Sequence, residues 1–248
     1  MNKNYKKFIH NIRDTDTYLR ERRSPYITDH SFPTLYGIKK NLEKFIKMTD
    51  EKSNKILDLG CWCKPYQSFF SGYWDYIWTD IVDGPYVDIV TPSHLLPFEK
   101  DYFDYLICTQ SLEHTEEITK TIKEIYRVVK PGWLIFISVP FLYQEHAAPY
   151  DFWRFTRFWL EKIFADFEIL SINWSTGYFW TMCFFINTLF SHGNKLRRVF
   201  TPIFVITNLI WLLWDKLIQY IWRFIGKSII KNNYNQFTND YCIILKKT

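Results

Sequence analysis

The sequence predicts an α/β domain built on a doubly wound, mostly parallel sheet. From Lys55 to about Asn173, short apolar runs of strand length alternate with helical segments, a pattern that gives a parallel sheet with helices on both faces. Polar and ionisable residues follow those runs, where the carboxyl ends of parallel strands would hold a ligand. A chain of 248 residues, 48% hydrophobic and 20% aromatic, can fill the core of one large domain or of one domain with an elaboration.

The elements are read in chain order. Residues 1–50 are amphipathic and helical: Leu35, Ile38, Leu42, Phe45 and Ile46 recur at helical spacing. Such a helix packs on the edge of the fold or covers a pocket, and packing is the simpler role. "KILDLG" is a first strand ending in glycine, "DYIWTDI" a second, "YVDIV" a third and "YFDYLICTQ" a fourth. "TEEITKTIKEIYRVVKPG" is a helix with Ile118, Ile122, Ile125 and Val129 on one face. Thr115 is placed to cap it, Glu116 and Glu117 suit the positive end of its dipole, and Pro131-Gly132 would stop it. "WLIFISVPF" follows as a fifth strand, "TRFWLEKIF" as a helix and "FEILSINW" as a sixth strand. "NDYCIILKKT" supplies a last strand after a long excursion.

That excursion, residues 178–235, changes character. "YFWTMCFFINTLF" and "FTPIFVITNLIWLLWDKLIQYIWRFI" are apolar and aromatic, joined by the basic "SHGNKLRRV". The longest apolar run ends at Asp215-Lys216, short of the roughly 20 residues that a spanning helix needs. Two readings stand: buried or oligomer-forming helices, or a hairpin in peripheral contact with a membrane through 178–226, with Trp and Tyr at its rim and Lys195, Arg197 and Arg198 near phosphates.

Charge narrows the partners. Lys and Arg number 31 against 26 Asp and Glu, a net +5 without a polybasic block, so no nucleic-acid partner is expected. Five cysteines at 61, 63, 108, 183 and 242 lack paired spacings and describe no disulfide framework. A reducing, cytoplasmic compartment, with or without attachment to the inner face of the membrane, is the expectation. "MNKNYKKFIHNIRD" has no apolar run behind its basic start and does not read as a signal peptide.

After the first strand come Gly60 and Cys61, with Asp58 just before them. Gly60 lets backbone approach a ligand because no Cβ intervenes. Asp80 ends the second strand, where a carboxylate can accept hydrogen bonds from vicinal ribose hydroxyls. Ser93 follows the third strand and can offer its N–H to a purine edge. Gln110, Glu113 and His114 follow the fourth; His146, Asp151 and Arg154 follow the fifth.

In order and spacing, "ILDLGC", "YIWTDI", "VDIV…LPF…YFDYLICTQSLEH" and "IKEIYRVVKPGWLIFISVPF" resemble a class I S-adenosylmethionine-dependent methyltransferase, within the type 11-like group. The resemblance covers about Lys55 to Trp174. Some members of that group read Gly-Cys-Gly-x-Lys-Pro-Tyr at the first turn, to which Lys64-Pro65-Tyr66 is similar. A His-x-x-Pro-x-Asp-x-x-Arg-x-Thr pattern of the subgroup falls on His146, Pro149, Asp151, Arg154 and Thr156. The resemblance implies a Rossmann-like, seven-stranded sheet whose last strand is antiparallel and enters between the fifth and sixth. It also implies S-adenosylmethionine as cofactor. Asp58 would face the methionine ammonium through water, Gly60 and Cys61 would approach the methionine with backbone, and Asp80 would hold the ribose. Ile81 would wall the adenine, and Gln110 would contact the methionine or ribose side. Trp62 replaces the second glycine of the turn, and Pro92 stands where many relatives carry an Asp for the adenine amino group. Trp62 could block the pocket, line it or turn away.

On the acceptor side, His114 could take a proton from a hydroxyl or amine, a task suited to a near-neutral pKa, and His146 is the second candidate. Asp151 and Arg154 are spaced either for a local ion pair or, through Arg154, for an anionic acceptor group. No spacing among Glu113, His114, His146 and Asp151 is diagnostic of a metal. The expected function is methyl transfer to an O or N acceptor on a small-molecule, glycan or lipid-linked substrate. The expected organisation is an N-terminal helical region (1–50), a core (51–177 and 236–248) and a hydrophobic helical insertion (178–235). The rivals are a non-catalytic relative serving in an assembly or at the membrane surface, and a dinucleotide-dependent oxidoreductase. The oxidoreductase suffers from the missing second and third glycines.

Overall fold

The structure, a computed structural model, describes residues 15–50, 54–60, 63–70, 74–84, 86–189, 194–225 and 238–248. The readings placed on residues 1–14, Cys61 and Trp62 lie outside them.

Seven strands form one sheet: β1 (Asn54–Leu59), β2 (Trp74–Asp80), β3 (Ile89–Val90), β4 (Phe103–Thr109), β5 (Val129–Pro140), β6 (Phe167–Trp174) and β7 (Asp240–Lys247). Their order is β3-β2-β1-β4-β5-β7-β6. The first five pair in parallel. β7 runs antiparallel to both neighbours, inserted between β5 and β6 as the resemblance implies. Strand order reverses between β1 and β4, the place where an open sheet leaves a crevice beyond its carboxyl ends.

Alternation along the strands divides the core into two layers. Leu57, Leu106, Cys108, Ile135 and Ile137 face one way, toward Ile122 and Ile125 of α3 (Ile118–Val128) and Leu160 of α4 (Arg157–Ile163). Ile56, Tyr105, Ile107 and Phe136 face the other way, toward Ile38, Leu42 and Phe45 of α2 (Phe32–Ile46). These three α2 side chains are fully buried, so the helix stripe read in the sequence is a core stripe. Helix α2 also comes unusually close to the turn after β6: a Cβ on Gly37 would overlap the carbonyl oxygen of Ser175.

Two local readings are corrected. Thr115 does not cap α3. Glu117 holds the N-cap position without a side-chain bond, because a 3-10 turn at Leu112–His114 ends on Thr115 first. Nor does Pro131-Gly132 stop that helix: Val129 is already extended, and the pair lies within β5, where pairing with β4 shifts register. Thr156 does cap α4, its hydroxyl accepting the Trp159 N–H at 3.2 Å.

Helices α5 (Tyr178–Leu189) and α6 (Asn194–Ile225) form a hairpin. One side packs through Trp180 and Trp211 on Phe32 of α2. Asn208 fastens it by donating 2.7 Å to the Ile27 carbonyl and accepting 3.2 Å from Asn187. The other side leaves Val199, Ile206, Leu209, Ile210, Leu213 and Leu217 exposed. No described helix is long and apolar enough to cross a membrane. The other described helix, α1 (Thr15–Arg23), docks where Arg23 donates 2.8 Å to the Pro65 carbonyl.

Candidate functional site

A cleft of about 410 Å³ opens above the carboxyl ends of β1, β2 and β4, within the size range of small-molecule sites. Leu59 and Gly60 form its floor at the end of β1, Asp80 and Ile81 its wall at the end of β2, and Gln110 and Ser111 its wall at the end of β4. Pro92 and Ser93 close one side; His114, His146, Tyr143 and Tyr150 close another. Tyr18 and Arg22 of α1 and Thr34, Leu35 and Ile38 of α2 cover it. The N-terminal helices therefore both pack and cover, roles the sequence left as alternatives.

The turn after β1 has a built reason for glycine. Gly60 adopts φ +72°, and a Cβ there would overlap Ser111 Oγ and stand 3.0 Å from Ser111 Cβ. Its N–H donates 2.8 Å to the Thr79 carbonyl, tying the ends of β1 and β2. Gln110 also holds a positive φ of 50°, and its N–H donates 2.9 Å to the Ser138 carbonyl. A non-glycine residue in that region is rare and clusters at functional sites. Beyond the turn, Lys64 Nζ donates 2.9 Å to Asp88, and Tyr66 is buried.

Asp80 is buried at the strand tip, where its Oδ1 accepts the Val82 N–H at 3.0 Å. Ser93 lines the cleft with its hydroxyl 3.1 Å from Thr121 Oγ1 and 3.3 Å from Thr115 Oγ1. Ile81 is half exposed at the rim. Asp58 is fully buried on the same side of β1 as Ile56 and accepts a hydrogen bond from the Tyr76 hydroxyl; it is not among the residues that line the cleft directly.

At the other end of the cleft the rings of His114 and His146 meet edge to face, centroids 4.8 Å apart. His114 Nδ1 lies 2.7 Å from the Tyr150 carbonyl oxygen. A carbonyl only accepts, so Nδ1 carries the hydrogen and Nε2 the lone pair. Burial holds this imidazole's pKa below its usual value. Glu113 beside it is fully buried, and burial, with Asp240 nearby, pushes its carboxyl up to about 8. The loop of Phe152 and Trp153, whose N–H groups both donate to the Glu113 carbonyl, covers it.

Asp151 and Arg154, expected among substrate ligands, do not line the cleft. They form a two-pronged ion pair at 2.6 and 2.7 Å. Arg154 Nε donates to Tyr143, and its terminal nitrogens also donate to the Trp153 and Gln144 carbonyls. Every N–H of the guanidinium is thus engaged in holding the loop. Burial alone would raise the Asp151 carboxyl, but the Arg154 bonds and the His146 N–H outweigh it and hold the group at about 2. Sequence reasoning missed Ser111, Tyr143, Tyr18 and Arg22. Ser111 lines the cleft and closes on Gly60 from the turn after β4, and the others reach the cleft from loops and helices with no strand pattern to mark them.

A family model described as a methyltransferase domain matches residues 30–174. No curated protein matches the chain significantly. The fold is similar to a solved S-adenosylmethionine-dependent methyltransferase from Archaeoglobus fulgidus, at 16% identity and TM-score 0.54, covering 94% of this chain and all of that one. It is similar also to Burkholderia thailandensis 1,6-didemethyltoxoflavin-N1-methyltransferase, solved with S-adenosylhomocysteine (12%, 0.54, 98% and 87%). Geranyl diphosphate C-methyltransferase from Streptomyces coelicolor is a third such structure (10%, 0.52, 86% and 81%). At these identities the likeness speaks for the fold.

Proposed function

Because this chain belongs to the methyltransferase domain family and is a class I S-adenosylmethionine-dependent methyltransferase, we propose that it methylates an oxygen or nitrogen of an amphipathic small-molecule, glycan or lipid-linked acceptor. The observation that carries this reading is the single cleft that unites Gly60, Asp80 and Gln110 at one end with His114 and His146 at the other.

The residues present fit the cofactor. Gly60, where Ser111 leaves no room for a side chain, presents bare backbone to the methionine part. Asp80 offers a carboxylate for the ribose, Ile81 an apolar surface for the base, and Ser93 and Gln110 polar edges beside them. When bound, the sulfonium supplies an already activated methyl group. The protein then has to align the acceptor, exclude water and take up one proton. His114 Nε2 carries a lone pair at the acceptor end, and its depressed pKa keeps the ring neutral at pH 7. His146 stands across from it as the second candidate. Tyr18 and Arg22 of α1 shield the cleft.

We assign acceptor choice to residues 1–50, 143–158 and 178–230, the core comprising 51–177 and 236–248. The exposed apolar side of α6 supports an acceptor with a lipid portion and a cytoplasmic protein attached peripherally to the membrane's inner face. The test is transfer of labelled methyl from S-adenosylmethionine to acceptor pools fractionated into water-soluble and lipid-extractable material. Label in the lipid-extractable pool that is lost in His114→Ala supports the reading. Failure to bind S-adenosylhomocysteine in calorimetry would sink it.

A further inference from the structure

We propose that Glu113, His114 and His146 bind one divalent transition-metal ion of the zinc type at the edge of the cleft. Each residue offers a ligand atom, and the three atoms lie within 4.8 Å of one another; Glu113 Oε1 and His114 Nε2 are 3.8 Å apart.

Three independent features support the assignment. Glu113 is fully buried, yet neither of its carboxylate oxygens has a hydrogen-bond partner outside its own residue. Native structures rarely leave a buried carboxylate so, and an ion is one standing explanation. The neighbouring cation does not supply the partner, since every N–H of Arg154 is directed elsewhere. Second, both imidazoles are oriented as ligating histidines are. His114 Nδ1 donates to the Tyr150 carbonyl at 2.7 Å. His146 Nδ1 lies 3.2 Å from the Gln144 carbonyl and 3.3 Å from Asp151. Such outer contacts fix the tautomer and leave Nε2 to coordinate. Third, the three residues come from two rigidly joined loops: the Glu113 carbonyl accepts from Phe152 and Trp153, and Asp151 accepts the His146 N–H at 2.9 Å.

Two imidazoles and one carboxylate suit zinc, iron, cobalt or nickel, not magnesium or calcium, which favour all-oxygen shells. Three protein ligands leave a position open. His114 and His146 both line the cleft, so that position faces the acceptor end, where an acceptor oxygen could occupy it. In the metal-free chain His114 remains a base. Ion binding therefore goes beyond the methyl-transfer reading and does not rest on it.

The experiment is titration of the tag-free, metal-stripped full chain with cobalt(II), followed by visible absorption, and with zinc(II), followed by calorimetry. One ion per chain at micromolar affinity or tighter is expected, with Kd raised at least about tenfold in His146→Ala and in Glu113→Gln. His146 is half-buried on a loop, so its variant keeps the core intact, and retained binding of S-adenosylhomocysteine confirms its fold. Substoichiometric uptake by the parent chain, unchanged affinity in a folded His146→Ala, or binding of magnesium in place of zinc would each overturn the site.

Discussion

Ser111 Oγ occupies the space that any side chain on residue 60 would need, so the turn after β1 and the turn after β4 interlock through Gly60 and Ser111. Gly60→Ala adds a Cβ at φ +72°, a strained conformation for an L residue, and drives the two turns apart. We predict that the Kd for S-adenosylhomocysteine rises at least about tenfold, equivalent to about 1.4 kcal/mol. Adding Ser111→Gly should recover part of that loss. Calorimetry on the single and double variants measures the coupling, and identical losses in both would refute the interlock.

Asp80 is the proposed ribose ligand. Asp80→Asn keeps an acceptor for the Val82 N–H but removes the charge. Hydrogen bonds to a charged group contribute about 1.5–3 kcal/mol, so affinity for S-adenosylhomocysteine should fall roughly tenfold to a hundredfold. A 2′,3′-dideoxy analogue should bind parent and variant alike.

Arg154 fastens the loop that carries His146. Lysine cannot reproduce five donors in a planar fork, so Arg154→Lys should destabilise the protein by about 1–3 kcal/mol, read as a thermal midpoint lower by roughly 3–10 °C. Cofactor affinity should hardly change, because Arg154 does not line the cleft. A large loss of cofactor affinity at unchanged thermal stability would restore the direct ligand role.

Asp240, fully buried with the Ser175 hydroxyl 3.1 Å away, has its carboxyl pushed up to about 7 by burial. The folded state then holds a proton that the unfolded chain, with an ordinary carboxylate, releases. The sign follows from linkage: this group lowers stability as pH rises from about 4 to about 7, and the penalty stays constant above that. Asp240→Asn removes the titrating group. The variant should therefore gain on the parent as pH rises from 5.5 to 8, by about 2 kcal/mol. Urea unfolding across that window checks it, and a difference independent of pH would refute it.

The exposed face of α6 bears on the peripheral attachment proposed above. Leu209→Ser with Leu213→Ser should leave the core intact, since both side chains are exposed. Replacing two apolar anchors should reduce co-flotation with anionic vesicles severalfold. Equal flotation of parent and variant, or none by either, would remove the membrane from the account.

The sheet was legible because each strand is an apolar run of the right length, closed by polar residues, and because two covering helices carry clean periodic stripes. Gly60, Asp80 and Gln110 were legible for the same reason: they stand at strand ends, and strand ends converge. Glu113 was not, because its burial depends on a loop some forty residues later folding over it. Arg154 was open between two roles in the sequence, and its carbonyl partners, which no spacing records, decide its place in the fold. The effect of Trp62 rests on a side chain outside the described residues.

β7 lies between β5 and β6, yet it follows them in the chain by more than the length of the α5–α6 hairpin. During synthesis, β5 and β6 must therefore wait with unpaired edges while the hairpin emerges, and the sheet closes only when Asp240–Lys247 arrives. Pairings across such long separations form slowly, and open strand edges invite intermolecular association. The chain should consequently depend more on chaperones, and tolerate premature termination less well, than its final stability alone would suggest.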